Sequence, residues 1–340
     1  MPRQARVDVP CALHHIVARG IERGKIFREE EDYADFLRRL GNLLLQTETK
    51  CFAWALIPNH FHLLLKTGNV PIATVMRRLL TGFAIGFNRR HQRSGHLFQN
   101  RYKSILCQED AYLKELVRYI HLNPLRARLV RDVNDLGDYP YAGHSAIMGK
   151  RTNEWQTIDT ILALFGNNLS QARHNYHEYV ATGAELGRQP GLTGGGLIRS
   201  AGGWTGVQLL RKAGSFQKSD ERILGDGDFV ESVLAEADEK MTRRFSFLTK
   251  GISLDQLQQT VAALVGINPE ELVGASKARK VVKARILFSY WAVRELGVSM
   301  TEIAQRLKIG LPTVSVAVQK GEQIVRSESL NLENLLNVNI

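Results

Sequence analysis

The chain has 340 residues, of which 44% are apolar, and carries a formal net charge of +11. That length can hold two domains with ordinary hydrophobic cores, which excludes an intrinsically disordered protein. The chain contains no run of about 18 apolar residues and no short apolar stretch behind a basic start, so we expect a cytoplasmic protein without a membrane partner. Its three cysteines, Cys11, Cys51 and Cys107, are too few and too far apart for a disulfide framework or a zinc knuckle.

The positive charge is concentrated in the N-terminal part of the chain. Residues 1–150 carry 23 lysines and arginines against 14 acidic residues, whereas residues 151–340 carry 22 against 20. Such a surface favours a polyanion as partner, because each phosphate that it neutralises releases condensed counterions. Charge alone leaves two alternatives open, nucleic-acid binding and a merely solvated basic surface.

Hydrophobic periodicity predicts an α+β domain over residues 1–150. Four strands are predicted, at 13–19, 51–57, 60–66 and 103–108. Three helices are predicted, at 29–47, 71–91 and 110–123. We expect Asp110 to cap the last helix and Pro124 to end it. The order β-α-β-β-α-β-α is typical of a ferredoxin-like or RRM-like antiparallel sheet with helices on one face.

Residues 151–250 are predicted to be a helical and Gly-rich connecting region. Nine of the 24 residues at 183–206 are glycines, too many for a regular helix or strand, which indicates a linker or mobile loop. Residues 207–250 show helical, amphipathic spacing, most clearly in GDFVESVLAEADEK.

The last part of the chain predicts an all-α domain at 251–326 and a tail at 327–340. Helices at 299–307 and 311–325, joined by a tight KIG turn, are typical of a helix-turn-helix whose second helix reads duplex DNA. Its exposed candidates are Thr313, Ser315, Gln319 and Lys320, and the preceding helix presents Lys277, Arg279, Lys280, Lys283 and Arg285. The alternative is a small helical bundle with a basic face.

The strand HFHLLLK holds a pair of histidines, His60 and His62, among large apolar residues. In a strand, residues two apart share a face, whereas on a helix the same spacing separates them by about 200°. Two imidazoles on one face can hold one divalent metal and leave positions open for a third ligand, water and a phosphate oxygen. The alternative is that one or both are core histidines with satisfied hydrogen bonds.

The helix AYLKELVRYIHLN carries a tyrosine and an asparagine, Tyr119 and Asn123, four residues apart on one face. A phenol is a poor nucleophile until another group carries the charge of the reaction, which a metal on a scissile phosphate can do. Asn123 could complete the metal shell or hold the phosphate through its amide. Alternatively, Tyr119 packs in the core and Asn123 only ends the helix before Pro124.

Taken together, ALIPNHFHLLLKT, GHLFQNRYKSILCQEDAYLKELVRYIHLNPLRARLV and RVDVPCALHHIVARGIERGKIF resemble the HUH single-tyrosine transposases, and within them the REP-associated tyrosine transposases of the IS200-like kind. The resemblance covers residues 1 to about 145. It implies that His60 and His62 bind Mg²⁺ or Mn²⁺ with help from Asn123. It also implies that Tyr119 attacks a phosphate of single-stranded DNA, giving a covalent 5′-phosphotyrosine and a free 3′-OH.

Three positions depart from the family pattern. Cys11 stands where a glycine is usual, His14 where an aromatic is more common, and Asn100 where a glycine often follows FQ. None of them is one of the implied catalytic residues, so they bear on DNA fit more than on chemistry.

The tail is similar to the C-terminal DNA-binding domain of the bacterial replication initiator DnaA, on the stretch VAALVGINPEELVGASKARKVVKARILFSYWAVRELGVSMTEIAQRLKIGLPTVSVAVQKGEQI. The initiator's usual RDHTTV is IGLPTV here. This difference argues against the initiator's own recognition sequence and leaves duplex binding open.

The resemblance implies single-stranded or hairpin DNA as partner, with possible duplex contacts through the C-terminal domain. Basic residues that could line the DNA path are Arg19, Arg77, Arg78, Arg89, Arg90, Arg93, Arg101, Lys103, Arg126 and Arg128. Phe98 and Tyr102 could stack bases. The oligomeric state stays open, because related transposases form dimers that exchange tyrosine helices and REP-associated members need not.

Three functions are compatible with these residues. The first is a metal-dependent nuclease and strand transferase that works through Tyr119. The second is a DNA-binding regulator that has lost cleavage, which the retention of Tyr119, His60, His62 and Asn123 disfavours. The third is an RNA phosphodiesterase, which would use the metal and have no use for Tyr119.

Overall fold

The computed structural model describes residues 7, 9, 11–68, 70–186, 192, 219–237, 252–274 and 276–337. The chain divides into two units, Met1–Ala235 and Glu236–Ile340. Most of the predicted Gly-rich linker lies outside the described residues. Among the helices described, none combines the length and the apolar character needed to cross a membrane.

Five strands form one sheet in the first unit, in the order β2-β3-β1-β4-β5. Their bounds are Leu13–Arg19 (β1), Lys50–Ile57 (β2), His60–Lys66 (β3), Lys103–Cys107 (β4) and Ile223–Leu224 (β5). Strands β1 to β4 pair antiparallel and lie within one residue of the predicted bounds, while β5 joins β4 in parallel. The sequence did not indicate β5, because two paired residues produce no periodic pattern.

Three long helices accompany the sheet, at Glu30–Thr47 (α1), Ile72–Arg90 (α2) and Glu109–His121 (α3). A capping box between Glu29 and Asp32 starts α1. Helix α3 begins with Gln108 as its N-cap, so Asp110 lies in the first turn and the predicted cap was wrong. The helix ends at His121, and Pro124 lies in the first turn of the short helix that follows.

The helices cover both faces of the sheet, so the expectation of one helical face was wrong. On one face, α1 and α2 pack with Phe61 and Leu63 of β3. On the other, Leu116 and Ile120 of α3 pack with Leu64. The physical reason lies in the runs CFAWALI and FHLLLK, which place apolar side chains on both faces and therefore need cover on both.

The chain after α3 packs against α3 and along the outer edge of β2. Five short or medium helices follow, at Asn123–Arg126 (α4), Val133–Leu136 (α5), His144–Ile147 (α6), Asp159–Ala163 (α7) and Leu169–Glu185 (α8). At the edge of β2, the Leu56 amide donates to the Tyr141 carbonyl at 2.8 Å, and the Gly143 amide donates to the Trp54 carbonyl at 2.9 Å. The edge is therefore paired within the chain rather than left open.

The first compact unit extends beyond residue 150, where the sequence analysis placed the end of the catalytic domain. Tyr176 and Val180 of α8 and Leu224 of β5 belong to the same core as α3. A helix at 227–237 (α9) falls in GDFVESVLAEADEK, where a helix was predicted. Part of the predicted connecting region, residues 151–250, therefore contributes apolar side chains to the core on the α3 side of the sheet.

The second unit is helical. Its elements are Leu254–Val265 (α10), a 3₁₀ turn at Pro269–Leu272, Arg279–Arg294 (α11), Met300–Leu307 (α12), Leu311–Ser327 (α13) and Leu332–Asn337 (α14). Leu257, Phe288 and Trp291 are at the centre of its core. The helices predicted at 299–307 and 311–325 correspond to α12 and α13.

A buried polar cluster links α8 to α3. The Tyr176 hydroxyl lies 2.6 Å from Nδ1 of His121 and 3.0 Å from Nδ1 of His144. All three side chains are buried. Burial lowers the pKa of His144 to about 3, so its ring is neutral in the folded protein near pH 7. The hydroxyl can then donate to one ring while it accepts from the other.

Acid should destabilise the first unit through His144. In the unfolded chain this ring takes up a proton near its ordinary pKa of 6.5, whereas the folded protein resists protonation until a pKa of about 3. Stability is therefore full above pH 6.5 and falls as the pH drops, by about 2 kcal/mol at pH 5. His144→Asn can keep a hydrogen bond to Tyr176 without titrating, and should reduce the loss in denaturant unfolding between pH 7 and pH 5.

The matched control is His96→Asn, at an exposed position. It should follow the wild-type protein at both pH values. Equal losses of unfolding free energy for His144→Asn and the wild-type protein would contradict the assignment.

Candidate active site

A cavity of about 700 Å³ opens between the ends of β1 and β3, the segment before β4, and helix α3. Its lining residues are Val17, Ala18, Arg19, His60, His62, Gln99, Asn100, Arg101, Lys103, Tyr119, Asn123, Arg126 and Ala127. All four residues predicted to be catalytic belong to this set, although His60 and His62 lie on β3 and Tyr119 and Asn123 come about 60 residues later, on α3 and at the start of α4.

The two histidines of β3 point to the α3 side of the sheet, because Phe61 between them belongs to the core of the opposite side. Their ring centroids are 5.2 Å apart. Pairing with β1 sets Arg19 opposite His60 and Val17 opposite His62. Strand alternation thus brings both rings and the Arg19 cation to one wall of the cavity.

Both histidines are held in the neutral form at neutral pH. Burial lowers the pKa of His60 to about 4, with a smaller contribution from the nearby Arg19 charge. Burial also lowers the pKa of His62 well below its ordinary value, assisted by the neighbouring His15, His60, Arg19 and Arg126. A neutral imidazole has one nitrogen lone pair, which is the form that binds a metal.

Asn59 determines which nitrogen of His60 carries the proton. The Asn59 Nδ2 donates to the Arg23 carbonyl at 3.2 Å, which leaves its Oδ1 facing His60 Nδ1 at 2.7 Å. An amide oxygen only accepts, so His60 Nδ1 is the donor. In the neutral ring, Nε2 therefore keeps its lone pair.

Tyr119 stands over the histidine wall. Its ring centroid is 5.8 Å from that of His62. The Arg126 guanidinium lies 5.0 Å from the centre of the Tyr119 ring and donates to the Tyr119 carbonyl at 3.3 Å. Burial raises the pKa of the Tyr119 phenol, and the charges of Arg126 and Arg19 oppose that rise. The phenol is thus protonated at neutral pH, and the charges of Arg126 and Arg19 favour its anion.

Asn123 is oriented by the backbone of α3. Its Nδ2 donates to the carbonyls of Tyr119 at 2.9 Å and Ile120 at 3.2 Å. These bonds turn the amide nitrogen toward the backbone, so the amide oxygen is the atom that can accept from or ligate another partner. Asn123 is 9% exposed and lines the cavity.

These residues fit a divalent metal. Two neutral imidazoles and one amide oxygen are a suitable donor set, with hydrogen bonds to Asn59 and to the α3 backbone that orient His60 and Asn123. Mixed nitrogen and oxygen donors suit Mn²⁺ well, and Mg²⁺ would keep several waters.

A second group of possible ligands, Glu29, Asp32 and His91, comes together at the start of α1. Asp32 accepts from the Arg28 amide at 2.9 Å, and it pairs with Arg90 and with His91, each at 2.9 Å. These donors, together with its place in the capping box of α1, satisfy its carboxylate without a metal.

Eight of the ten basic residues predicted to line the DNA path fall into two groups. Arg19, Arg101, Lys103 and Arg126 line the cavity. Arg77, Arg78, Arg89 and Arg90 lie on α2, which packs on the opposite face of the sheet. Arg78 donates to Gln46 at 2.9 Å, and Arg90 pairs with Asp32.

The two aromatic residues expected to stack bases pack instead in the core of the α2 face. Tyr102 is 7% exposed and belongs to that core. Phe98 packs against Phe61 and Phe83, with ring centroids 6.4 Å away in each case. The Tyr102 ring is therefore enclosed by core contacts, whereas Phe98 is half-buried.

Sequence reasoning missed His15. Its ring is completely buried, and it lies 3.0 Å from His62 between Nε2 and Nδ1. A signal was available in LHHIVAR, because strand alternation places His14 and His15 on opposite faces and one of them must share the face of His62.

In the second unit, the DNA-binding candidates Thr313, Lys320 and Lys280 are exposed, and Ser315 is half-buried. Val314, Ala317 and Val318 of α13 face the core, so Thr313, Ser315 and Lys320 lie away from it, while Lys280 is in the first turn of α11. Lys283 pairs with Glu328 at 2.7 Å.

Arg285, which was expected to be presented with the other basic residues of α11, is buried. It donates to the carbonyls of Leu272 and Ser276, both at 2.7 Å. Its guanidinium therefore stabilises the turn before α11 and does not face solvent, where DNA could be contacted.

Comparison with known proteins agrees with these features. Residues 9–123 match the family model described as transposase IS200 like, which confirms the resemblance for that stretch and supports a transposase-type function. The chromosomal replication initiator protein DnaA of Pseudothermotoga lettingae is 27% identical over 101 residues, 30% of this chain and 23% of that protein. The chain thus spans about a quarter of that relative's length.

A solved structure described as a REP-associated tyrosine transposase bound to a REP hairpin is also similar. It shares 14% sequence identity, and the match covers 50% of this chain and 93% of that chain. Its TM-score is 0.37.

Removing the Asn59 acceptor should weaken metal binding at His60. In Asn59→Ala, nothing holds the proton on Nδ1, so we expect the dissociation constant for Mn²⁺ to rise about tenfold. Asn59→Asp keeps an acceptor oxygen and should bind at least as tightly as the wild-type protein. Titration calorimetry of the full chain with Mn²⁺ measures both. Asn88→Ala, on α2, is the control, and an unchanged affinity in Asn59→Ala would refute this role.

Proposed function

We propose that this protein is a metal-dependent endonuclease and strand transferase of single-stranded DNA, of the IS200-like, REP-associated tyrosine transposase type, with Tyr119 as nucleophile. One observation carries the proposal: Tyr119 shares one cavity with two neutral histidines, the Asn123 amide oxygen and four cationic side chains. The match of residues 9–123 to the IS200-like transposases supports the same conclusion.

The reaction follows from the groups around Tyr119. The phenol oxygen attacks the phosphorus of a DNA phosphodiester, a P–O bond forms to Tyr119, and the bond from phosphorus to the 3′-oxygen breaks. In sum, the phenol proton ends on the departing 3′-oxygen, leaving a 5′-phosphotyrosine and a free 3′-OH. A divalent metal bound by His60, His62 and Asn123 would neutralise charge on the phosphate. Attack by a 3′-OH on the phosphotyrosine reverses the step and joins strands.

The cations of the cavity have separate tasks. Arg126 lies against the Tyr119 ring and favours its anion as the proton leaves. Arg19 is paired with His60 across β1 and β3. Its charge opposes the rise that burial causes in the pKa of Tyr119. Arg101, just before β4, and Lys103, its first residue, line the cavity and would contact the phosphates of a strand entering it.

The resemblance to REP-associated transposases implies a hairpin as substrate, and the four cations that line the cavity suit the phosphates of an unpaired strand beside the stem. The C-terminal unit would add contacts to duplex DNA through α13, with Thr313, Ser315 and Lys320 near the bases and Lys280 at a phosphate. Linking two DNA-binding units in one chain raises occupancy by effective concentration.

Tyr119→Phe should abolish covalent joining to DNA. We expect the wild-type protein, incubated with a hairpin oligonucleotide and Mn²⁺, to form an adduct that resists denaturation and migrates separately on a denaturing gel. Tyr119→Phe and His62→Ala should form none, while Tyr112→Phe, on the same helix and outside the cavity, should react normally. Hairpin binding without any adduct in the wild-type protein would favour the regulator instead, and cleavage of RNA alone would favour a phosphodiesterase.

Lys280→Gln should weaken duplex binding equally for all sequences. Loss of one phosphate contact should lower the slope of log K against log salt concentration by about one, because one fewer counterion is released. Fluorescence anisotropy with duplex DNA at several salt concentrations measures this slope. Arg326→Gln, near the C-terminal end of α13 and paired with Glu322, serves as control. Identical slopes for Lys280→Gln and the wild-type protein would show that Lys280 does not contact a phosphate of the duplex.

A further inference from the structure

A third histidine lies directly behind the pair on β3. His15 comes from β1, and its ring is fully buried. Its Nε2 lies 3.0 Å from Nδ1 of His62, and its Nδ1 lies 3.1 Å from the carbonyl oxygen of Leu192. Three polar groups from β3, β1 and the chain beyond α8 thus form one continuous line of hydrogen bonds.

The Leu192 carbonyl oxygen, at the end of this line, determines which ring nitrogen of His15 and of His62 carries the proton. A backbone carbonyl only accepts, so His15 Nδ1 must be the donor to Leu192. A neutral His15 then has its lone pair on Nε2, and His62 Nδ1 must donate to it. The lone pair of a neutral His62 is consequently on Nε2, the nitrogen on the opposite side of the ring.

We propose that His15 is a positioning residue that, through the Leu192 carbonyl, fixes His62 in the tautomer able to bind the catalytic metal. The inference rests on the proposed function and adds two residues to its site. Leu192 lies outside the stretch that matches the IS200-like family, so the chain downstream of α8 takes part in preparing the metal site.

His15 does not serve as a metal ligand itself. Both of its ring nitrogens are within hydrogen-bond distance of protein partners, and it is absent from the cavity lining that includes His60, His62 and Asn123. A histidine ligand needs one ring nitrogen available to the metal, and both ring nitrogens of His15 are already in hydrogen bonds.

Asn59 and Leu192 perform equivalent tasks for the two histidines. The Asn59 oxygen accepts directly from His60, whereas Leu192 acts on His62 with His15 between them. Two independent devices therefore leave Nε2 free on both rings. Partners of this kind that orient metal-binding histidines typically change metal affinity by 10- to 100-fold when they are removed.

Nitrogen NMR of the full chain tests the tautomers without any variant. In protein labelled with ¹⁵N-histidine, long-range proton–nitrogen correlations distinguish a protonated Nδ1 from a protonated Nε2. We expect His15, His60 and His62 all to carry the proton on Nδ1. Added Zn²⁺, a diamagnetic probe, should shift Nε2 of His60 and His62 and leave the protonation of His15 unchanged. A proton on Nε2 of His62, or loss of the His15 ring proton on metal addition, would overturn the proposal.

Two variants test the consequence for metal affinity. His15→Phe keeps a planar ring without an acceptor, and should weaken Mn²⁺ binding at least tenfold, as measured by electron paramagnetic resonance of free Mn²⁺. His15→Gln can offer an oxygen to His62 Nδ1 and should recover most of the affinity. Wild-type affinity in a folded His15→Phe would refute the positioning role.

His60→Ala separates this proposal from the proposed function. If His60→Ala binds Mn²⁺ like the wild-type protein, the metal site itself is misplaced and the proposed function fails. If His60→Ala loses the metal and His15→Phe does not, only the positioning role of His15 fails.

Discussion

The packing of α3 on the histidine-bearing face of β3 is the constraint on which the whole site depends. Strand alternation separates His60 and His62 from Phe61, and the apolar contacts of Leu116 and Ile120 then hold the helix above the two rings. Tyr119, on the same helix, is brought within 5.8 Å of His62 between ring centroids. The geometry of the candidate site therefore follows from core packing, and a site held by strands and helices is more precise than one built on loops.

Helix α3 is held in place partly by α8, which lies outside residues 9–123, the stretch that matches the IS200-like family. Helix α8 lies against it so closely that a Cβ added at Gly183 would be 2.3 Å from the Arg118 side chain. The Arg118 guanidinium also stacks on the Tyr179 ring at 4.2 Å. Together with the buried contact of Tyr176 to His121, these interactions make the downstream segment part of the core that holds α3.

The departures from the family pattern have physical consequences in the structure. Cys11, where a glycine is usual, has a φ of 56°, a left-handed backbone conformation that glycine adopts without the steric cost of a Cβ. His14, where an aromatic is more common, is fully buried on the α2 face, 3.2 Å from the Ser104 hydroxyl. Both changes fall at β1 and its approach, and neither removes a group from the cavity.

Local patterns in the sequence determined the four antiparallel strands, the three long helices and the pairing of His60 with His62, because each depends on periodicity within a few residues. The sequence also determined Tyr119 and Asn123 as partners, since four residues span one helical turn. Tertiary structure alone decided that Arg285 and Tyr102 are buried, that α2 carries its arginines away from the cavity, and that His15 meets Leu192. These outcomes depend on which distant segments share a core, and a contact between residues 177 positions apart leaves no local pattern to read.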